Sequence, residues 1–285
     1  MDQHWSWNDF SVNMTRFSRD AETRFAALLD FVGRLDELAA RLVARETGTG
    51  GERPQDYVAC VLAVRSFRLS VSSIQLAVSG YTDACPNLYR TNWEISVRLL
   101  DILQHPVEGA LGYLLQGASE ELATARAEDQ CRGDHSSGAQ RAGSRISALN
   151  ATYDQYASFA AARGLDPRVL QQKHGKLNYR AVCDRHGLEK SYQVNYAFAS
   201  GYVHEKNWAT REFVSDADGE RRFNFAPVSG ARAVCIADAL VSAFIVVQLA
   251  AVVVQDSALA TDTAAALEGL AQLTDDDVAM GLDFA

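Results

Sequence analysis

A row of hydrogen-bonding side chains runs through the stretch SYQVNYAFASGYVHEKNW, residues 191–208. Steps of four residues from Tyr192 lead to Tyr196, Ser200 and His204. Because an α-helix turns once every 3.6 residues, such a row drifts slowly around the helix, here toward its apolar face. We therefore expect His204 to lie half-buried at the edge of that face, beside a polar partner. A histidine in this position either transfers protons or, more commonly, is a satisfied core residue.

A second candidate is the stretch LYRTNWEISVRLLD, residues 88–101. Arg90 and Glu94 are one helical turn apart, and Arg98 and Asp101 continue the same polar stripe. On its own, such a stripe is typical of a solvent-exposed helix face with ion pairs worth a few tenths of a kcal/mol each. The pattern by itself favours that interpretation over a functional site.

Taken together, the segments YRTNWE and YAFASGYVH resemble an uncharacterised, mostly helical bacterial family, domain of unknown function five-six-seven-seven. In its pattern, an Arg-x-x-x-Glu helix is followed about a hundred residues later by a Tyr/Ser-rich helix that ends in His. The matching positions are Arg90, Glu94, Tyr196, Ser200 and His204. The resemblance extends from about Tyr57 to the last apolar helix. It implies a helical bundle in which the Arg-Glu pair faces the His helix, and it implies no established reaction.

If these helices meet, Arg90, Glu94 and His204 form a charged cluster, with Ser200 and Tyr196 as hydrogen-bond partners. A histidine can transfer protons, and an arginine can hold a phosphate while a glutamate orients either group. This composition suits phosphodiester cleavage without a metal ion. It also suits a polar clamp between helices.

The HEPN ribonucleases, helical bundles of bacterial toxin and phage-defence systems, offer a looser analogy. Their mark is an arginine followed, after four to six residues, by a histidine. This chain has three such spacings, none of which includes His204: Arg98 to His105, Arg168 to His174 and Arg180 to His186. Matches this short arise readily by chance, so the analogy carries little weight.

Two hypotheses remain open. The first is a nuclease-like helical effector of a bacterial defence or stress system, a ribonuclease-like phosphodiesterase acting on RNA. The second is a non-catalytic interaction or sensor module that binds a partner protein and uses the cluster as a clamp. The sequence slightly favours the enzyme, because a buried Arg-Glu-His group is costly to keep for structure alone. Either protein could be a homo-oligomer.

Composition narrows the remaining possibilities. The chain has 285 residues, of which 48% are hydrophobic, and a formal net charge of -9, which argues against non-specific binding to nucleic acid or anionic membrane. Its five cysteines are scattered, with no Cys-x-x-Cys pair, which indicates reduced thiols in a cytoplasmic protein and no zinc site. No sequence motif predicts a cofactor or another metal, and the N-terminus has no signal pattern.

Apolar residues at helical spacing predict a series of amphipathic helices that would position these side chains. We expect them at about residues 17–45, 57–78, 87–104, 107–129, 147–163 and 179–185, with a short one from Pro167. His105-Pro106 and His186-Gly187 are predicted helix ends.

The intervening segments are less regular. The Gly/Ser-rich residues 131–145 predict a flexible connection, and residues 258–285 form an acidic tail. Two strand-like runs around Asp218-Gly219 predict a β-hairpin. The apolar segment 235–256 could span a membrane by length, but Asp238, Ser242 and Gln248 favour a buried core helix. The overall prediction is an all-α multi-helix bundle in one domain, residues 1–285, with a long apolar C-terminal core helix and one small hairpin.

Overall fold

The fold, seen in a computed structural model, is predominantly helical, and the predicted all-α class is confirmed. The structure describes residues 19, 25–45, 53–132, 136–196, 214–217, 220–223 and 232–279. The longer helices are α1 (Ala26–Arg45), α2 (Pro54–Val78), α3 (Cys85–Gln104), α4 (Pro106–Arg132), α5 (Ser136–Ala161), α9 (Arg232–Val253) and α10 (Ser257–Ala279). The shorter ones are α6 (Pro167–Leu170), α7 (Tyr179–Arg185) and α8 (Glu189–Ser191), with π-helical turns at Gln171–Gly175 and Tyr192–Tyr196.

Helix α9 is the centre of the core. It packs against α1, α2, α3 and α10, so its apolar side chains find neighbours on nearly every side. Leu240, Phe244 and Val247 are fully buried, and the Phe244 ring meets the edge of the Phe31 ring at a centroid distance of 6.3 Å. This helix is the apolar core segment predicted at residues 235–256.

Among the helices of the described residues, two, α2 and α9, are long and apolar enough to cross a membrane. Half of the most apolar window of α2 and 61% of that of α9 are buried inside the protein. A core helix of a soluble protein has the same length and composition, so these two properties alone do not assign either helix to a membrane.

Residues 131–145, predicted as a flexible connection, are mostly helical. Residues 133–135 lie outside the described residues, and for the rest of the segment the prediction is wrong. Helix α4 continues to Arg132, and α5 begins at Ser136 and includes Gly138 and Gly143. A glycine inside a helix costs about 1 kcal/mol relative to alanine. Packing of α5 along α4 offsets that cost.

The acidic C-terminal segment is a packed helix up to Ala279. Asp256 begins it, since its carboxylate accepts a hydrogen bond from the Leu259 amide at 3.0 Å. Leu259, Ala266 and Leu270 lie buried on one face of α10, against α1 and α9. Asp262 and Glu268 are exposed outside that face, so this part of the acidic segment has the pattern of an amphipathic helix.

Two short strands interrupt the helices before α9. Val214–Ala217 (β1) and Glu220–Phe223 (β2) pair antiparallel, with Val214 opposite Phe223. The predicted turn at Asp218-Gly219 and the flanking residues 211–213 and 224–227 lie outside the described residues.

Candidate functional site

Three of the five predicted site residues come together. Arg90 Nε donates a hydrogen bond to Glu94 Oε1 at 3.0 Å, and Arg90 Nη2 donates one to the Tyr196 hydroxyl at 2.7 Å. The guanidinium carbon also lies 4.6 Å from the centroid of the Tyr196 ring. Ser200 and His204 lie outside the described residues. The structure therefore joins the Arg-Glu pair of α3 to the start of the segment that carries the predicted histidine.

This cluster is partly buried, in contrast to the exposed stripe that the pattern of α3 alone favours. The side chains of Arg90 and Glu94 are 18% and 26% exposed. An ion pair with this little exposure is screened less by water and salt than a surface pair. The Arg90 guanidinium consequently has one fixed orientation, set from two sides by a carboxylate and a phenol.

A tight helix end brings Tyr196 to α3. Asn178 caps the start of α7 by accepting a hydrogen bond from the Ala181 amide at 3.1 Å. Gly187, with φ +68°, ends the helix, and the Leu188 amide returns to the carbonyl of Cys183 at 2.8 Å. This is a Schellman end, which favours glycine because other residues are strained at positive φ. The predicted stop at His186-Gly187 is confirmed, and it turns the chain back along α3.

Four aromatic rings, including that of Tyr196, pack together next to Arg90 and Glu94. Trp93 of α3 lies within 5.2–6.2 Å, centroid to centroid, of Tyr179, Tyr192 and Tyr196. The rings of Tyr192 and Tyr196 stack at 5.0 Å and 14°. The Trp93 indole donates a hydrogen bond to the Ser191 hydroxyl at 3.2 Å. Trp93 is buried, and the three tyrosine rings are partly buried. Their contacts hold the chain around Tyr192–Tyr196 against α3.

Tyr179 lies between this site and a second charged group. Burial raises the pKa of its hydroxyl, and the negative charge of Glu94 adds to that effect, while Arg98 opposes it. A phenol whose pKa is raised above its usual value stays protonated at neutral pH. Tyr179 is therefore an uncharged phenol at the boundary of the two clusters.

The second group, Arg98, Asp101 and His174, was not identified as a site from the sequence. All three side chains are at most 7% exposed. His174 Nδ1 lies 3.1 Å from Asp101 Oδ2, and because a carboxylate only accepts, Nδ1 carries the hydrogen. Arg185 approaches the other carboxylate oxygen at 3.6 Å.

Arg98 holds the backbone next to His174. It donates to the carbonyl oxygens of His174 and Gly175, the latter at 3.0 Å. His105, at the end of α3, packs its ring 5.0 Å from that of His174. The polar stripe of α3 offered a signal for this group, because Arg98 and Asp101 continue from Arg90 and Glu94. The expectation that this stripe faces solvent is wrong for Arg98 and Asp101.

Close packing of α4 against the Gln171–Gly175 turn positions His174. We expect Gly112→Ala to lower the free energy of unfolding by about 1–3 kcal/mol, because its Cβ would stand 2.6 Å from the His174 Cβ and 2.8 Å from the Leu170 carbonyl oxygen. Gly117, on the same helix, has open space at its Cβ, so Gly117→Ala should raise that free energy by about 0.5–1 kcal/mol. Urea denaturation of both variants measures the difference, and equal stabilities would contradict this packing.

Within the described ranges, no group of three or more His, Cys, Asp or Glu side chains is arranged to hold a metal ion. The fold and the two clusters thus define an all-α bundle with charged groups held between its helices. The chain matches the Family of unknown function (DUF5677) over residues 56–221, more than half of its length, and it belongs to that family. No curated protein and no solved structure matches the chain.

The family match covers both clusters. It begins next to Tyr57, as the sequence resemblance indicated, and includes α3 and the segment from α7 through Tyr196. The match stops at residue 221, before the apolar helix α9. The sequence resemblance was expected to extend as far as that helix, so it is longer than the match.

Proposed function

We propose that the protein is a metal-independent phosphodiesterase that acts on RNA in a bacterial defence or stress system. Arg90 holds a phosphate, His204 transfers protons, and Glu94 orients the arginine. The observation that carries the proposal is the state of Arg90, whose guanidinium is partly exposed and held rigidly by Glu94 and Tyr196. A rigid, oriented cation is what stabilises the charge that develops on a phosphate in the transition state.

Arg90 has donors left for such a ligand. A guanidinium carries five N–H groups in a planar fork, and the contacts of Arg90 with described residues, Glu94 and Tyr196, use two of them. The remaining fork geometry suits two phosphate oxygens at once.

The aromatic group supports RNA as the ligand. Tyr192 and Tyr196 are partly exposed and stacked next to Arg90, and aromatic rings beside a cation are a common arrangement for unpaired bases. The net charge of -9 disfavours general attraction to nucleic acid, so recognition would depend on this local site.

The first test is cleavage of a labelled single-stranded RNA in the presence of EDTA. We expect Arg90→Ala to reduce the cleavage rate about 10²–10³-fold, as loss of a hydrogen-bond donor to the transition state does in other enzymes. The rate of Arg90→Lys should lie between those of Arg90→Ala and wild type. Arg41→Ala, which breaks an exposed ion pair with Asp262, serves as the control and should cleave at the wild-type rate. Wild-type protein that leaves RNA intact, or an Arg90→Ala variant with full activity, would overturn the proposal.

A second function has its own support. Glu94 neutralises Arg90 while Tyr196 accepts its hydrogen bond, so the three residues satisfy one another across two segments of the fold. That arrangement suits a clamp in a non-catalytic interaction or sensor module, whose partner is another protein or a second copy of the chain. If the protein has this function, Arg90→Ala lowers its stability, and the wild-type protein cleaves no RNA.

For either function we expect the protein to act in the cytoplasm rather than in a membrane. Support comes from its reduced cysteines, three of which, Cys60, Cys85 and Cys183, are buried.

A further inference from the structure

Two cysteines that are distant in the sequence meet where α3 begins. Cys85 is the first residue of α3 and is 3% exposed, whereas Cys235 lies in the first turn of α9 and is partly exposed. The Cys85 sulfur lies 3.7 Å from the carbonyl oxygen of Tyr81, and the Cys235 sulfur lies 3.8 Å from that of the next residue, Thr82. The carbonyl oxygens of two consecutive residues thus contact the two sulfurs, which places Cys85 and Cys235 next to each other at this point of the fold.

We propose that Cys85 and Cys235 form a reversible disulfide when the protein is exposed to hydrogen peroxide. Two thiols seated at the carbonyls of consecutive residues are near enough in the fold for a disulfide to be tested, since such a bond needs its two Cα atoms within about 7 Å. The connection would join α9 to α3, the helix that carries Arg90. This proposal does not depend on the function proposed above.

The surroundings of Cys85 favour its reactive form. Hydrogen bonds from the side chains of Cys235 and Ser73 lower the pKa of the Cys85 thiol, although burial opposes them. The start of a helix also favours a negative sulfur. Cys183 is the contrast, since burial in an apolar cluster raises the pKa of its thiol, with Asp184 adding to the effect.

The reaction begins at the more accessible sulfur. The Cys235 thiolate attacks one peroxide oxygen, the O–O bond breaks, and hydroxide leaves and takes up the thiol proton as water. The Cys85 thiolate then attacks the sulfenic sulfur of Cys235, the S–O bond breaks, and a second hydroxide leaves as water with the Cys85 proton. Two thiols have then lost two electrons and two protons, and one peroxide has become two waters.

The test treats the purified full chain with hydrogen peroxide, blocks remaining thiols by alkylation, and maps the peptides by mass spectrometry. We expect a cross-link between the Cys85 and Cys235 peptides, a loss of two hydrogen atoms from the intact mass, and a melting temperature that rises on oxidation and returns with dithiothreitol. Cys235→Ser and Cys85→Ser should each abolish both the cross-link and the rise. Cys131→Ser, at an exposed cysteine away from the pair, should leave both unchanged.

Three results would overturn the inference. Cys85 and Cys235 could both stay reduced at a peroxide dose that oxidises exposed Cys131. Cys235 could proceed to sulfinic acid with no cross-link. A disulfide could form between two chains through Cys131 while the Cys85–Cys235 pair remains reduced. Because Cys235 is partly exposed, its serine variant should fold, and a wild-type melting curve for that variant under reducing conditions establishes that it does.

Discussion

Replacement of Asp101 by alanine is expected to lower the free energy of unfolding by about 3–5 kcal/mol, the usual cost of removing one partner from a buried charged group. Asp101 is 2% exposed, and its two carboxylate oxygens face His174 and Arg185. Without the carboxylate, the Nδ1–H group of His174 has no acceptor in a region closed to water. Urea denaturation followed by circular dichroism measures the loss.

Two further variants separate charge from hydrogen bonding. Asp101→Asn keeps an oxygen that can accept from His174 but loses the charge that attracts Arg185, so its stability should fall between those of Asp101→Ala and wild type. Asp262→Ala removes the same kind of side chain from an exposed ion pair with Arg41 and should cost at most about 1 kcal/mol. If Asp101→Ala and Asp262→Ala prove equally mild, the Asp101–His174 pair does not stabilise the fold.

The second large effect is expected for His204→Ala, which should reduce RNA cleavage about 10²–10⁴-fold, as loss of a proton-transfer residue typically does. Alanine is a good helix former, so in the enzyme hypothesis the melting temperature should stay close to that of wild type. His186→Ala is the matched control: His186 is the residue that ends α7 and has no part in the proposed reaction, so its replacement should leave the cleavage rate unchanged.

For the same variant, the clamp hypothesis predicts a loss of stability instead of a loss of RNA cleavage. In that hypothesis His204 serves the contact between helices, and its loss would cost about 1–3 kcal/mol of stability. A melting curve and an RNA-cleavage assay on wild type and His204→Ala, run side by side, distinguish the two hypotheses. RNA left intact by wild type under all conditions, together with a variant that melts several degrees lower, would show that the enzyme hypothesis is wrong.

Local patterns were sufficient to predict much of the helical framework. The proline after His105 and the glycine after His186 mark helix ends, because both residues act on the backbone within one turn. The spacing of Arg90 and Glu94 predicts their ion pair for the same reason, since residues four apart are neighbours on any α-helix. The apolar run of α9 likewise predicts a helix surrounded by others.

Composition was a poorer guide to the segments between these elements. Glycines and serines at residues 131–145 suggest a flexible connection, yet Ser136 already begins α5. Acidic residues at the C-terminus suggest a tail, yet the same stretch is α10. In both cases the contact with a neighbouring helix outweighs a weak local preference.

The sequence by itself determined the helical class, most helix ends and the pairing of Arg90 with Glu94, because those depend on residues within one or two turns of one another. Tertiary structure alone decided that Arg98 and Asp101 are buried against His174, and that Cys85 meets Cys235. Arg98 and His174 are 76 positions apart, and the two cysteines lie on different helices. Such contacts depend on which faces of the helices pack together, and the burial of apolar surface over the whole bundle selects those faces.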